Sequence, residues 1–271
     1  MARSTWLRDY HRAAPGTPRL LCLPHAGGSA SFYFPLSQRL APRAQTLAVQ
    51  YPGRQDRRAE EPVADIGTLA DHIVAALPDD GRPLALFGHS MGAVVAFEVA
   101  RRLADGPSGP AAVLMVSGRR APSRQLVDTV HERDDAGVLA ELKKLSGTDE
   151  RVLGDPELLT MILPAIRADY RALARYAVAR QEAVRAEAAG QGSGAQSPVP
   201  QGVPVQDRVG CPIVALTGDR DPVTPVADAL AWAEHTTGGF ESQVFPGGHF
   251  YLADQQEEVT RTIRDALKTY A

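Results

Sequence analysis

Ser90 lies in Gly88-His89-Ser90-Met91-Gly92, with a glycine two residues to either side of it. The run before it, Pro83-Leu84-Ala85-Leu86-Phe87, is apolar throughout and reads as a buried strand; Ala93 to Ala100 reads as a helix. A turn this tight leaves no room for side chains at the two flanking positions, which is the mechanical reason for glycine there. The helix that starts behind Ser90 offers free N–H groups and a positive dipole end to a developing anion. A serine hydroxyl is a weak nucleophile, so the arrangement requires a base within hydrogen-bond reach and an acid to orient that base.

The chain has seven histidines. His11, His72, His131 and His235 fall in the N-terminal arm, a helix, a strandless region and a helix end, and read as surface or packing residues. The side chain of His89 should diverge from that of its neighbour Ser90. His249 differs, because Phe245-Pro246-Gly247-Gly248-His249-Phe250 puts it in a glycine loop between the last strand and the final helix. For the acid, Thr217-Gly218-Asp219-Arg220-Asp221-Pro222 offers two carboxylates. Asp219 directly follows the turn glycine and reads as a cap for nearby backbone N–H groups, so Asp221 is preferred. The loop Ser117-Gly118-Arg119-Arg120-Ala121-Pro122 is the alternative place for an acid and has no carboxylate. An oxyanion needs two convergent donors. The N–H of Met91 supplies one, and Pro24-His25-Ala26-Gly27-Gly28-Ser29 supplies the other from Ala26.

The elements that must position these groups alternate along the chain. Arg19–Leu23, Thr46–Tyr51, the run before Ser90, Ala111–Val116, Pro212–Leu216 and Glu241–Phe245 read as strands. Ile66–Leu77, the stretch after Ser90, Val226–Glu234 and Glu257–Thr269 read as helices. Near-continuous apolar strands separated by helices imply an α/β fold with a mostly parallel twisted sheet covered on both faces. Ligands of such sheets bind at the carboxyl ends of the strands, where all the residues above fall. The strand–turn–helix around Ser90 and the order serine, aspartate, histidine are those of an α/β-hydrolase.

Residues 123–188 carry no strand signal and predict an all-helical lid insertion. Within it a short helix spans Asp135 to Leu145, closed by Gly147, and a second starts at Asp155-Pro156-Glu157 and is kinked or restarted at Pro164. Residues 189–206 are dominated by Gly, Ser, Pro and Gln and read as a flexible linker. Residues 1–122 and 207–271 then form the core. The net charge of −3 argues against nucleic acid as a partner, and an apolar content of 44% suits an ordinary globular protein. No apolar run approaches a membrane span and the N-terminus has no signal-like core, so a cytoplasmic location is expected. Cys22 and Cys211 lie in apolar runs and read as reduced thiols, not as a disulfide or metal pair.

Five segments resemble the type II thioesterases, free-standing editing hydrolases that accompany polyketide and nonribosomal peptide synthetases. They are Leu23–Ser29, Tyr51-Pro52-Gly53-Arg54, Gly88–Gly92, Ser117–Pro122, and Leu163-Pro164 through Arg167-Ala168-Asp169-Tyr170. The resemblance covers nearly the whole chain; only Gly88–Gly92 is shared widely among hydrolases. It implies hydrolysis of acyl thioesters on the phosphopantetheine arm of acyl or peptidyl carrier proteins, with Ser90, Asp221 and His249 as the triad. It implies no metal and no organic cofactor, and a monomer is expected. Residues 189–206 depart from the family, in which this connection is shorter and less glycine-rich. Arginines at two strand ends, Arg54, Arg57 and Arg58 and then Arg119, Arg120 and Arg124, are candidates for meeting the arm's phosphate or an acidic carrier surface. The competing readings are a carboxylesterase or medium-chain fatty acyl thioesterase, an acyltransferase, and a non-catalytic binding scaffold on the same fold.

Overall fold

Five apolar runs set the centre of the molecule. The computed structural model describes residues 4–104, 106, 109–145, 155–190, 203 and 207–271. In it those runs form β2 (Arg19–Leu23), β3 (Gln45–Val49), β4 (Leu84–His89), β5 (Val113–Ser117) and β6 (Ile213–Gly218). Edge strands β1 (Leu7–Asp9) and β7 (Phe240–Phe245) complete a seven-stranded sheet in the order β1-β3-β2-β4-β5-β6-β7. Only β1 is antiparallel to its neighbour. Every residue of β2, β4, β5 and β6 is buried, so these strands have no solvent face and must be covered on both sides.

Successive side chains along a strand point to opposite faces, and the core divides accordingly. Leu21 and Leu23 pack with α2 (Ile66–Ala76) and α3 (Met91–Ala104), through Ile66, Leu69, Val94 and Phe97. Leu20 and Cys22 pack on the other face, against Leu40 of α1 (Phe34–Leu40) and Val259 and Ile263 of α8 (Gln256–Tyr270). Cys22 and Cys211 are both free and buried. No helix among the described residues is long and apolar enough to cross a membrane.

The helical region after β5 holds α4 (Asp135–Leu145) and α5 (Pro156–Gly190). Of the two outcomes expected at Pro164, a kink or a restart, the restart does not occur: α5 runs on through the proline as one helix. An interior proline costs about 3 kcal/mol, and the burial of Leu163, Ala165 and Ile166 around it offsets that. The two halves of α5 pack differently. Leu163, Ile166 and Tyr170 form a satellite cluster with Val130, Val138 and Leu142, whereas Ala172 and Leu173 join the main core. Tyr176 then donates to Glu98 Oε1 at 3.1 Å, and Arg180 pairs with Asp207 at 2.5 Å. The region therefore shares a core with the sheet and is not separate from it. Gly147 and most of the expected linker, 191–202 and 204–206, lie outside the described residues.

Other departures are local. The short β1 has no apolar run to reveal it, since its three residues are held by pairing with Leu47–Val49. The helix expected over Val226–Glu234 is split into α6 (Val226–Leu230) and a 3-10 turn at Ala231–His235. A single helical turn, α7 (Tyr251–Asp254), follows His249.

Candidate active site

Ser90 sits between β4 and α3 with φ of 54°, a left-handed conformation that side chains other than glycine rarely adopt. Its N–H donates to the carbonyl of Ser117 on β5 at 2.8 Å, which fixes the turn to the neighbouring strand. The glycines are required by contact. A Cβ on Gly88 would stand 2.1 Å from the Gly92 carbonyl oxygen, and one on Gly92 would stand 2.0 Å from that of Leu23. Behind the turn, Met91 through Ala100 are all buried, so α3 is a rigid support.

His249 and Asp221 arrive from the carboxyl ends of β7 and β6. His249 Nδ1 lies 2.8 Å from Asp221 Oδ2, and the two side chains are 2% and 0% exposed. Nδ1 therefore donates to the carboxylate, leaving Nε2 as the basic nitrogen. The other oxygen of Asp221 accepts the N–H groups of Val223 at 2.9 Å and Thr224 at 3.1 Å, which orients the carboxylate. Asp219 has the capping part expected of it: its Oδ1 accepts the Gly247 N–H at 2.8 Å, and that bond holds its carboxyl below the usual range.

Ser90, His249 and Ala26 line one cavity of about 70 Å³, closed by Leu142 of α4 and by Tyr170 and Leu173 of α5. The N–H groups of Met91 and Ala26 find no protein acceptor among the described residues. Gly28 donates to His25 O at 2.9 Å, making residues 25–28 a β-turn that carries Ala26 beside the cavity. His89 diverges as expected: its Nδ1 is 2.9 Å from Ser117 Oγ, itself 2.7 Å from the Tyr251 hydroxyl. Burial pushes His25 down to about 3 and His89 well below the usual histidine range. Both are therefore neutral near pH 7 and put no second positive charge beside His249.

The remaining expectations divide. Of the other histidines, His11 meets Ser37 Oγ at 3.0 Å, His72 stacks on Trp6, and His235 is fully buried. Arg119 is in the cavity wall, and its guanidinium donates to Gln125 Oε1. Arg120 is committed within the chain, to Asp228 and to the Val223 carbonyl at 2.9 Å. Only Arg124 of these three is exposed, paired with Glu234 at 2.8 Å. Arg54 and Arg57 are buried, the first with Asp169 and the second with Glu60, which corrects the expectation that they face a partner. Sequence reasoning did not bring His25, Asp128 or Glu141 to the cavity, which all three line. His25 stood in a segment already singled out, but nothing in a strandless region marks Asp128 or Glu141.

A family model described as a thioesterase domain matches residues 18–267. The chain belongs to the thioesterase domain family. It is 48% identical over 263 residues to a probable cadicidin biosynthesis thioesterase of Streptomyces griseus, covering 97% of this chain and 66% of that protein. It is 46% identical over 265 residues to thioesterase PikA5 of Streptomyces venezuelae, covering 97% of this chain and 85% of that one. Among solved structures it is similar to the type II thioesterase BorB from the borrelidin biosynthetic cluster, at 45% identity and a TM-score of 0.78 with 97% of each chain covered. The fold of this thioesterase is therefore that of an α/β-hydrolase with helices over the strand ends.

Proposed function

We propose that this thioesterase hydrolyses short or aberrant acyl thioesters from the phosphopantetheine arm of acyl or peptidyl carrier proteins, as an editing enzyme of a polyketide or nonribosomal peptide synthetase. The observation that carries this reading is the shared cavity. A serine on a strand–helix turn, a histidine bonded to a buried aspartate, and the loop that carries the Ala26 N–H meet under helices. The names of PikA5 and BorB support the substrate class.

The reaction has two steps. His249 Nε2 takes the Ser90 proton as Oγ attacks the thioester carbonyl, Asp221 stabilises the resulting imidazolium, and the N–H groups of Met91 and Ala26 receive the oxyanion. The pantetheine thiolate leaves, taking a proton from His249. Water activated by His249 then attacks the acyl-serine by the same path in reverse. Protein groups supply every proton transfer, so the reading needs neither a metal nor an organic cofactor. The helices of the 123–188 region act as the lid, and its small cavity suits short acyl groups. Arg119, which lines the same cavity as Ser90, suits the acyl group or the amides of the arm better than the phosphate at the arm's far end. Arg124 is the arginine of the second strand-end group left to steer an acidic carrier.

The test compares release of an acyl group from a carrier protein with release of the same group from a simple oxoester. Faster release from the carrier is expected. Faster release from the oxoester would make the protein a carboxylesterase, and transfer to an added alcohol or amine in preference to water would make it an acyltransferase.

A further inference from the structure

Two of the segments that resemble the family, Tyr51–Arg54 and Arg167–Tyr170, have no part in the two-step reaction, yet the fold joins them beside the oxyanion loop. Asp169, on α5, is 1% exposed. Its Oδ2 accepts the N–H of Gly27 at 2.7 Å and also accepts from Nη2 of Arg54. Arg54 is fixed in turn, since its Nη1 donates to the Pro52 carbonyl at 2.7 Å. The Arg54 carbonyl accepts from Gln50 Nε2 at 3.1 Å, while Gln50 Oε1 accepts the Ala30 N–H at 3.0 Å. The loop after β2 is thus held at two points, Gly27 and Ala30, by the loop after β3 and by α5.

The contact at Gly27 governs the shape of the turn that carries Ala26. Gly27 has φ of +74° and Ala26 is outside the positive-φ region, so residues 25–28 form a type II turn. The Gly27 N–H belongs to the central peptide of this turn, so its bond to Asp169 ties the turn to α5 and fixes where the preceding His25–Ala26 peptide, which carries the Ala26 N–H, lies beside the cavity. The fit is close: a Cβ on Gly27 would lie 2.8 Å from Ile166 Cγ1, one turn before Asp169 on the same helix. A bare carboxylate this near a developing oxyanion would oppose it. Arg54 neutralises that charge, which accounts for a buried ion pair here in place of a lone acid.

We infer that Asp169 is a positioning residue for the oxyanion loop: seated on α5 and neutralised by Arg54, it holds the Gly27 N–H so that the adjacent Ala26 N–H faces the acyl carbonyl. The inference rests on the thioesterase reading of Ser90. It makes one helix serve two purposes, because α5 also gives Tyr170 and Leu173 to the acyl cavity. Displacement of α5 therefore loosens the cavity wall and releases the oxyanion turn together.

Asp169→Leu alone leaves Arg54 buried without its partner and is a poor test, since that loss by itself destabilises the fold. Removing both charges avoids this, because a buried ion pair replaced by apolar residues is often neutral for stability. The two variants to compare are Arg54→Met with Asp169→Leu, and Arg54→Met with Asp169→Asn, which keeps an acceptor for Gly27. The Leu pair should lose about 10–100-fold in kcat on a short acyl thioester, approaching the loss of one oxyanion donor, with KM changed by less than about threefold. It should lose a similar factor in affinity for a boronic acid that forms a tetrahedral adduct on Ser90. The Asn pair should stay within about threefold of wild type in both. Equal kcat and equal boronate affinity in the two variants, or losses that follow melting temperature, would overturn the inference. A wild-type chain that releases no acyl group overturns the thioesterase reading and this inference with it.

Discussion

At the scale of single residues, the site is a set of local constraints that each have one physical cause. Ser90 is held at φ of 54° by two glycine contacts and by the Ser117 carbonyl, so its hydroxyl is presented with no help from side-chain packing. The sequence favours Asp221 over Asp219 as the acid, although both follow the same strand. The geometry separates them, since Asp221 reaches His249 at 2.8 Å while Asp219 caps Gly247. Asp221→Asn should therefore cost about four orders of magnitude in kcat by favouring the wrong histidine tautomer. Asp219→Asn should lower the melting temperature and leave kcat within about tenfold, on the scale of a lost loop hydrogen bond. Steady-state kinetics on both variants checks this, and a larger loss at Asp219 would reverse the assignment. The glycines, the serine and the histidine were legible because their chemistry demands fixed residue types. Asp169 was legible only as part of a resembling segment, because its partner Gly27 is 142 positions away.

Among the elements, the strands were readable because burial on both faces forces continuous apolar runs, as in β2, β4 and β6. What the sequence hid was an element held by its partner and not by its own pattern: β1 exists through pairing with β3. The helix expected to run on toward Ala188 does so as α5, with Leu163 and Ile166 packed around Pro164. The same packing makes α4 and α5 a wall for the acyl group, with Leu142 at the boundary. Leu142→Ala should enlarge the cavity and raise the ratio of butyryl to acetyl thioester kcat/KM by about tenfold, the scale of one to two methylenes in an apolar pocket. An unchanged ratio would mean that the acyl chain lies elsewhere. His235 joins several of these elements: its Nε2 accepts the Ser123 N–H at 3.1 Å and its Nδ1 donates to the Asp207 carbonyl at 3.1 Å. Burial lowers it from 6.5 to about 4, so the unfolded chain binds a proton that the folded chain refuses. Its contribution is fully present above pH 6.5 and is lost as the pH falls toward 4, amounting to about 3 kcal/mol at most. Denaturant melts across that window should show stability falling with acid, and the slope should flatten in His235→Gln. An equally steep slope in the variant would assign the effect to other groups.

For the molecule as a whole, the sheet brings loops from five strand ends to one edge, and a helical cover closes a small cavity over them. Most of the arginines near that edge are spent inside the fold; Arg54 with Asp169 and Arg120 with Asp228 bind elements together. Charge alone could not separate these from docking arginines, because an ion pair to a distant residue leaves no local signature. Arg124 is exposed and its pair with Glu234 is a surface one, worth little to stability. Arg124→Glu should lower kcat/KM for acyl-carrier substrates, with the loss shrinking as salt rises, and leave small pantetheine thioesters unaffected. Equal losses on both substrates would place the effect at the active site and not at docking. On this mechanism every thioester acyl group passes through Ser90. Rapid quenching of the enzyme with a short acyl thioester, followed by mass analysis of the digested chain, tests it directly. An acyl adduct is expected on the peptide containing Ser90, formed before steady-state turnover and absent, together with turnover, in Ser90→Ala. An adduct on another residue, or hydrolysis by Ser90→Ala near the wild-type rate, would contradict it.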